Sequence, residues 1–298
     1  MKSKYIFRSL LVLLAVFIFA AFFAIEKVLP YSGIKPFRRH GTEKPSGFGL
    51  KYENFSVQND SVKIVGYYIP NDTAKATLIC THGISANKER NINFAKKLHD
   101  IGYNVALIDL RAQGESGGDY CTFGYYEKYD LQKVVDFVLT KTTNTNIGIH
   151  GHSLGGAIAL QTLELDSRLK FGIVESTFTN FCDVSYEYSD DFTGIKSRIL
   201  CNYVTEKSAK IAKFERTEVN PEASCRNINV PIFMEHGTAD EKIPFEMGQK
   251  NFAALASTEK YFYPIQDGSH SHVHTDGGDA YWAAMKVFLE KMKKNKQP

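Results

Sequence analysis

The stretch Gly151-His152-Ser153-Leu154-Gly155 sets a serine hydroxyl between two glycines. Asn146 to His150 before it is short and apolar-rich, and Leu154, Ile158 and Leu165 after it fall on one helical face. A serine on such a strand-to-helix turn is lifted above a sheet edge at a helix N-terminus, where it can act as a nucleophile. Glycines two residues to either side relieve the crowding of that turn. A hydroxyl is a poor nucleophile alone: it needs a base to take its proton and a carboxylate to hold the base in the right tautomer. Where such a turn tops a parallel sheet, the acid and then the histidine follow the serine along the chain. Asp240 stands in a turn just after the strand-like Pro231–Glu235, and Glu241 beside it is the second choice. After the strand-like Lys260–Ile265, three imidazoles alternate, at His270, His272 and His274. His270 comes soonest and follows the flexible Gly268, so it is the expected base; His272 is the alternative and His274 the last choice. Three alternating imidazoles are also a metal-ligand set, but no carboxylate stands at matching spacing, so no metal and no cofactor is expected. Acyl transfer further requires backbone donors aimed at the developing oxyanion. The N–H groups of Leu154 and of Ile84, the latter exposed by a turn at Gly83, are the candidates, with His82 read as a brace for that loop.

The elements that must position these groups alternate from about residue 51. Tyr52–Val57 and Val62–Ile69 read as a hairpin across Gln58-Asn59-Asp60. Strand patterns follow at Ala76–Thr81, Val105–Leu110, the segment before Ser153, Phe171–Glu175, Pro231–Glu235 and Lys260–Ile265. Helical patterns lie between and after them, at Glu89–Asp100, Tyr125–Thr140, Leu154–Leu165, Glu246–Ala256 and Ala280–Met292. Apolar strands alternating with amphipathic helices imply an α/β fold with a mostly parallel sheet covered on both faces. Active sites of such sheets lie at the strand C-terminal ends, just where each motif falls. Residues 176–228 break the alternation: they are polar, aromatic-rich and partly helical, and are expected to form a small cap over the entrance.

In order along the chain come His82-Gly83, then Asp109-Leu110-Arg111-Ala112-Gln113-Gly114-Glu115-Ser116, then the serine turn. His236-Gly237-Thr238-Ala239-Asp240 with Ile243-Pro244, and Asp267-Gly268-Ser269-His270, complete the series. This set resembles the α/β-hydrolase superfamily over roughly residues 60 to 292, and most of all its membrane-anchored, small-cap, serine aminopeptidase-like members. The resemblance implies Ser153, Asp240 and His270 as the catalytic triad, with Asp109 and Arg111 tying down loops. The His-rich tail of the base loop departs from the family pattern.

Composition bounds the rest. The 298 residues are 43% hydrophobic and 23% charged, an ordinary globular balance with enough material for one sizeable core. Net charge is +3, but residues 1–50 hold eight Lys/Arg against Glu26 and Glu43, so the remainder is slightly acidic. A body without basic excess excludes nucleic acid as a partner. Leu10 to Ile25 is uncharged and strongly apolar, and basic residues flank it. Neither an A-x-A cleavage site nor a lipobox cysteine accompanies it, so a single-pass N-terminal anchor is expected, with secretion after signal-peptide cleavage as the alternative. The expected organisation is an anchor over 1–30, a Pro- and Gly-containing linker over 31–50 and a hydrolase domain over 51–298. Five scattered cysteines form neither a zinc motif nor a dense disulfide framework.

The expected activity is that of a serine hydrolase acting on a small acyl ester, thioester or lipid. A serine exopeptidase is the alternative; it needs an acidic group for the substrate's free amine, for which Glu175 is the candidate. A catalytically silent binding module on the same fold is the third reading.

Overall fold

The computed structural model describes residues 2–294. The chain opens with a long exposed helix, α1 (Lys2–Phe23), which runs through a π-helical turn at Ala24–Val28 into α2 (Leu29–Ile34). The hairpin expected near residue 60 forms as β1 (Glu53–Asn59) and β2 (Val62–Ile69), antiparallel, with Asn59 opposite Val62. Alternation follows: β3 (Ala76–Thr81), α3 (Ile92–Asp100), β4 (Tyr103–Ile108), α4 (Glu127–Lys141), β5 (Ile147–His152), α5 (Leu154–Leu165) and β6 (Leu169–Glu175). The insertion folds as α6 (Phe181–Glu187), α7 (Ser189–Thr193), α8 (Arg198–Ala212) and α9 (Pro221–Cys225). The chain ends with β7 (Ile232–Gly237), α10 (Phe245–Ala254), β8 (Lys260–Ile265), α11 (Val273–Asp276) and α12 (Gly278–Lys294).

The eight strands form one sheet in the order β1-β2-β4-β3-β5-β6-β7-β8. Pairing is parallel from β4 through β8, and β2 runs antiparallel to both of its neighbours. The central strands are buried throughout and feed two cores in turn. Ile79, Ala106, Ile149, Val174 and Met234 face the α4 and α5 side. Their neighbours Leu78, Val105, Ile173 and Phe233 face the α3 and α12 side. Two-residue alternation between two apolar layers is what a sheet covered on both faces requires.

Two local differences from the sequence reading have physical causes. The helix expected from Glu89 starts as a 3-10 turn over Lys88–Asn91. There Lys88 is drawn into contact with Asp109, and Glu89 accepts from the Tyr67 hydroxyl at 3.2 Å. The segment read as a linker is packed, not free: Ile34 is fully buried, and Pro36, Pro45 and Leu50 are buried too. The Ile34 carbonyl accepts from the Cys121 N–H at 2.8 Å, and Arg38 donates to the Gly118 carbonyl at 2.6 Å.

Candidate active site

Ser153 lies on the turn between β5 and α5 with φ +56° and ψ −118°, a conformation that is strained for any residue with a side chain. The turn is held from below: the Ser153 N–H donates to the Glu175 carbonyl at 2.8 Å, and its carbonyl accepts from the Thr177 hydroxyl at 2.8 Å. The flanking glycines are sterically forced. A Cβ on Gly151 would sit 2.1 Å from the Gly155 carbonyl oxygen, and one on Gly155 would sit 2.8 Å from the His82 carbonyl oxygen.

The loops after β7 and β8 bring Asp240 and His270 to this serine. His270 Nε2 lies 3.0 Å from Ser153 Oγ, and His270 Nδ1 lies 2.8 Å from Asp240 Oδ2. Asp240 Oδ1 accepts the N–H groups of Lys242 at 2.9 Å and Ile243 at 2.8 Å, which fixes the carboxylate. Burial alone would raise the Asp240 pKa, but hydrogen bonds from His236 and His270 overcome it and hold the group well below the usual carboxylate range. The other two imidazoles of the loop point elsewhere. His272 is exposed, 3.4 Å from the Ser269 hydroxyl, and His274 lies 3.0 Å from the Glu175 carboxylate. Glu241 touches the backbone N–H of His270 at 3.3 Å, not its ring.

Three supporting residues escaped the sequence reading. His236 Nε2 lies 3.2 Å from Asp240 Oδ2. His152 donates from Nε2 to the His270 carbonyl at 2.9 Å; burial, and then the nearby His270, lower its pKa to about 4, so the ring is neutral. Gln113 accepts the Ser85 N–H at 2.6 Å and thereby pins the loop after β3. Each lies within or beside a motif that was legible, but only the fold reveals its partner.

That same loop carries the first expected oxyanion donor. Gly83 lies against the serine, where an added Cβ would stand 3.5 Å from Ser153 Cβ. His82 braces the loop as expected: Nδ1 donates to the Gly83 carbonyl at 2.7 Å and Nε2 accepts from the Leu110 N–H at 3.1 Å. Leu154 opens α5, where the first N–H groups have no partner within the helix. Ile84 and Leu154 border the same cavity as Ser153. Asp109 and Arg111 tie loops, through Lys88 at 2.7 Å and Asp130 at 2.7 Å.

Glu175, the candidate amine anchor, is buried beneath the serine turn. It accepts from the Tyr281 hydroxyl at 2.7 Å as well as from His274. Burial opposes its ionisation, yet His274 and His150 hold it well below its ordinary range. Glu235, directly opposite on β7, is driven well above the ordinary range by burial and then by the Glu175 charge.

The cavity at Ser153 has a volume of about 360 Å³, within the size range of small-molecule sites. Its walls come from α2, α6 and α8, and no charged side chain lines it among the described residues.

Comparison with known proteins bears on the family and the fold. A family model described as serine aminopeptidase, S33, matches residues 72–180. A structure of the esterase Pf2001 of Pyrococcus furiosus superposes with a TM-score of 0.74, covering 88% of this chain and 98% of that one at 22% identity. The chain belongs to the α/β-hydrolase superfamily. Among its relatives, the uncharacterized protein YqkD of Bacillus subtilis is 28% identical over 235 residues, 77% of this chain and 76% of YqkD. The lysophosphatidylserine lipase ABHD12 of Macaca fascicularis is 24% identical over 203 residues, 63% of this chain and 48% of ABHD12. An acylaminoacyl peptidase of Pyrococcus horikoshii shares the fold at a TM-score of 0.66 and 19% identity, covering 86% of this chain and 45% of that one.

Proposed function

We propose that this α/β-hydrolase is a serine esterase that cleaves carboxylic ester or thioester bonds through an acyl-enzyme on Ser153. The observation that carries the reading is the hydrogen-bonded row Ser153–His270–Asp240 at the edge of an apolar cavity. His270 Nε2 takes the hydroxyl proton as Ser153 Oγ attacks the acyl carbon, and the N–H groups of Leu154 and Ile84 receive the oxyanion. The tetrahedral centre collapses as His270 returns the proton to the leaving oxygen or sulfur. Water, deprotonated by the same imidazole, then releases the acid. Asp240 stays ionised and steadies the imidazolium. The residues after β6 form the cap, and α1 serves as a single-pass anchor.

The ester reading is favoured over the exopeptidase by the surroundings of Ser153. A free ammonium entering the cavity would meet no counter-charge, because Glu175 is buried and already engaged by His274 and Tyr281. The family model's name and the acylaminoacyl peptidase neighbour make the comparison worth running. A fluorophosphonate probe should label the wild-type chain and not Ser153→Ala, whose p-nitrophenyl ester turnover should fall about 10⁶-fold. Labelling that survives the substitution would end the assignment. Faster cleavage of an aminoacyl-p-nitroanilide than of a p-nitrophenyl ester would transfer it to the peptidase reading.

A further inference from the structure

The apolar helix at the N-terminus does more than lead into the domain. From Lys4 to Ile34 it is 31 residues long, or about 46 Å. A hydrocarbon core of about 30 Å accounts for only its first two-thirds. The remaining turns are bonded to the cap. The Ser208 hydroxyl donates to the Pro30 carbonyl at 2.7 Å, and Tyr203 and Lys207 both bond the Glu26 carboxylate. These turns then form part of the wall of the cavity at Ser153, through Leu29 and Gly33, and Leu200 and Val204 of α8 line it too.

The rim on that side is apolar and open. Phe37 and Ile195 border the cavity while remaining 74% and 60% exposed, and Ile199, in the first turn of α8, is 85% exposed. Large apolar side chains grouped at the foot of a membrane-length helix suit a headgroup layer and not bulk water. The cavity is at the small end for organic ligands and uncharged, so it suits one hydrocarbon chain with its polar head left outside.

We propose that the end of the anchor helix is one wall of an acyl-chain site, and that a single-chain acyl ester reaches Ser153 from the bilayer past the exposed rim at Phe37 and Ile195. This inference rests on the esterase reading and adds to it the substrate's form and its route. In this arrangement the ester carbonyl stops at Ser153 while the chain lies along Gly33 and Val204.

The test uses the full chain reconstituted in phosphatidylcholine vesicles, with p-nitrophenyl esters of rising acyl length. Each methylene that enters an apolar site improves kcat/KM by up to about fourfold. The wild type should therefore favour the octanoyl over the butyryl ester at least tenfold, an order-of-magnitude expectation on the same basis. Gly33→Leu adds bulk from one wall; the Gly33 backbone is helical and an added Cβ would lie 3.7 Å from the Phe123 ring, an ordinary contact. Val204→Phe adds bulk from α8. Each should lower the octanoyl-to-butyryl ratio about fivefold or more at an unchanged melting temperature. A ratio that both folded variants leave unaltered would overturn the acyl site. For the route, a palmitoyl monoester should be cleaved about tenfold faster or more in the protein's own vesicles than when supplied in separate ones; equal rates would overturn entry from the bilayer. If the wild type shows no Ser153-dependent turnover of the butyryl ester, the esterase reading itself has failed, a result distinct from either of these.

Discussion

The three groups of the proposed row could be picked out because acyl transfer demands particular residue types in a particular order. Ser153 could be read from its glycines, and the coordinates supply the reason: a Cβ at either position would overlap backbone atoms. Choosing among three alternating imidazoles was harder, because spacing alone sends them all to one side of an extended loop. The loop turns instead, and His270 alone of the three meets Ser153 Oγ. His236, His152 and Gln113 could not be read, since each acts on a partner brought near only by folding. With the Asp240 carboxyl held well below its ordinary range, it takes up no proton near neutral pH, and in the proposed row its work is to orient the imidazole and stabilise its charge. Asp240→Asn should therefore retain the fold but lower kcat about 10⁴-fold, because an amide holds the imidazole in the wrong tautomer. A loss smaller than tenfold in steady-state ester turnover would remove Asp240 from the proposed row.

At the scale of elements, the sheet was readable because buried parallel strands are short apolar runs bounded by turns. Boundaries moved by one or two residues, as terminal turns do. The interior of 176–228 was not readable: its helices α6 to α9 pack through scattered aromatics, such as Phe181 against Phe214, without a clear period. Least visible was the joint between β6 and the C-terminal elements, where Glu175 meets His274 of α11 and Tyr281 of α12. Burial disfavours the charged form of His274, but the Glu175 charge outweighs it and the pKa is raised. A raised imidazole pKa contributes stability that is fully present below the unfolded value near 6.5 and is lost as pH climbs through the folded value. The melting temperature of the wild type should accordingly exceed that of His274→Gln most at about pH 6, with the gap narrowing toward pH 9. A gap that is constant or widens on that path, followed by calorimetry, would show that the pair carries no such linkage.

For the whole molecule, charge and hydropathy set one long apolar helix apart from a slightly acidic body. The sequence disclosed the apolar segment but placed its end at residue 30, because Pro30, Pro36, Pro45 and the glycines among them read as a linker. The helix continues because Pro30 falls in the first turn after the π-helical turn at Ala24–Val28, where the regular ladder is already interrupted and a missing N–H costs little. The basic residues around its end are only partly free to meet lipid phosphates. Arg38 is committed to the carbonyls of Gly118 and Ser116, while Lys27 and Lys35 remain exposed. Attachment should then depend on the buried apolar length of α1 and little on charge, since screening at high salt weakens surface ion contacts without affecting hydrocarbon burial. Membranes prepared from cells producing the full chain should retain it through washes in high salt and in alkaline carbonate, and release it only to detergent. The retained protein should also migrate at the full 33.6 kDa, because an uncleaved anchor loses no residues. Release by salt would point to peripheral binding through the basic residues, and a shorter soluble product would point to a cleaved signal; either result would remove the bilayer from one side of the proposed acyl site.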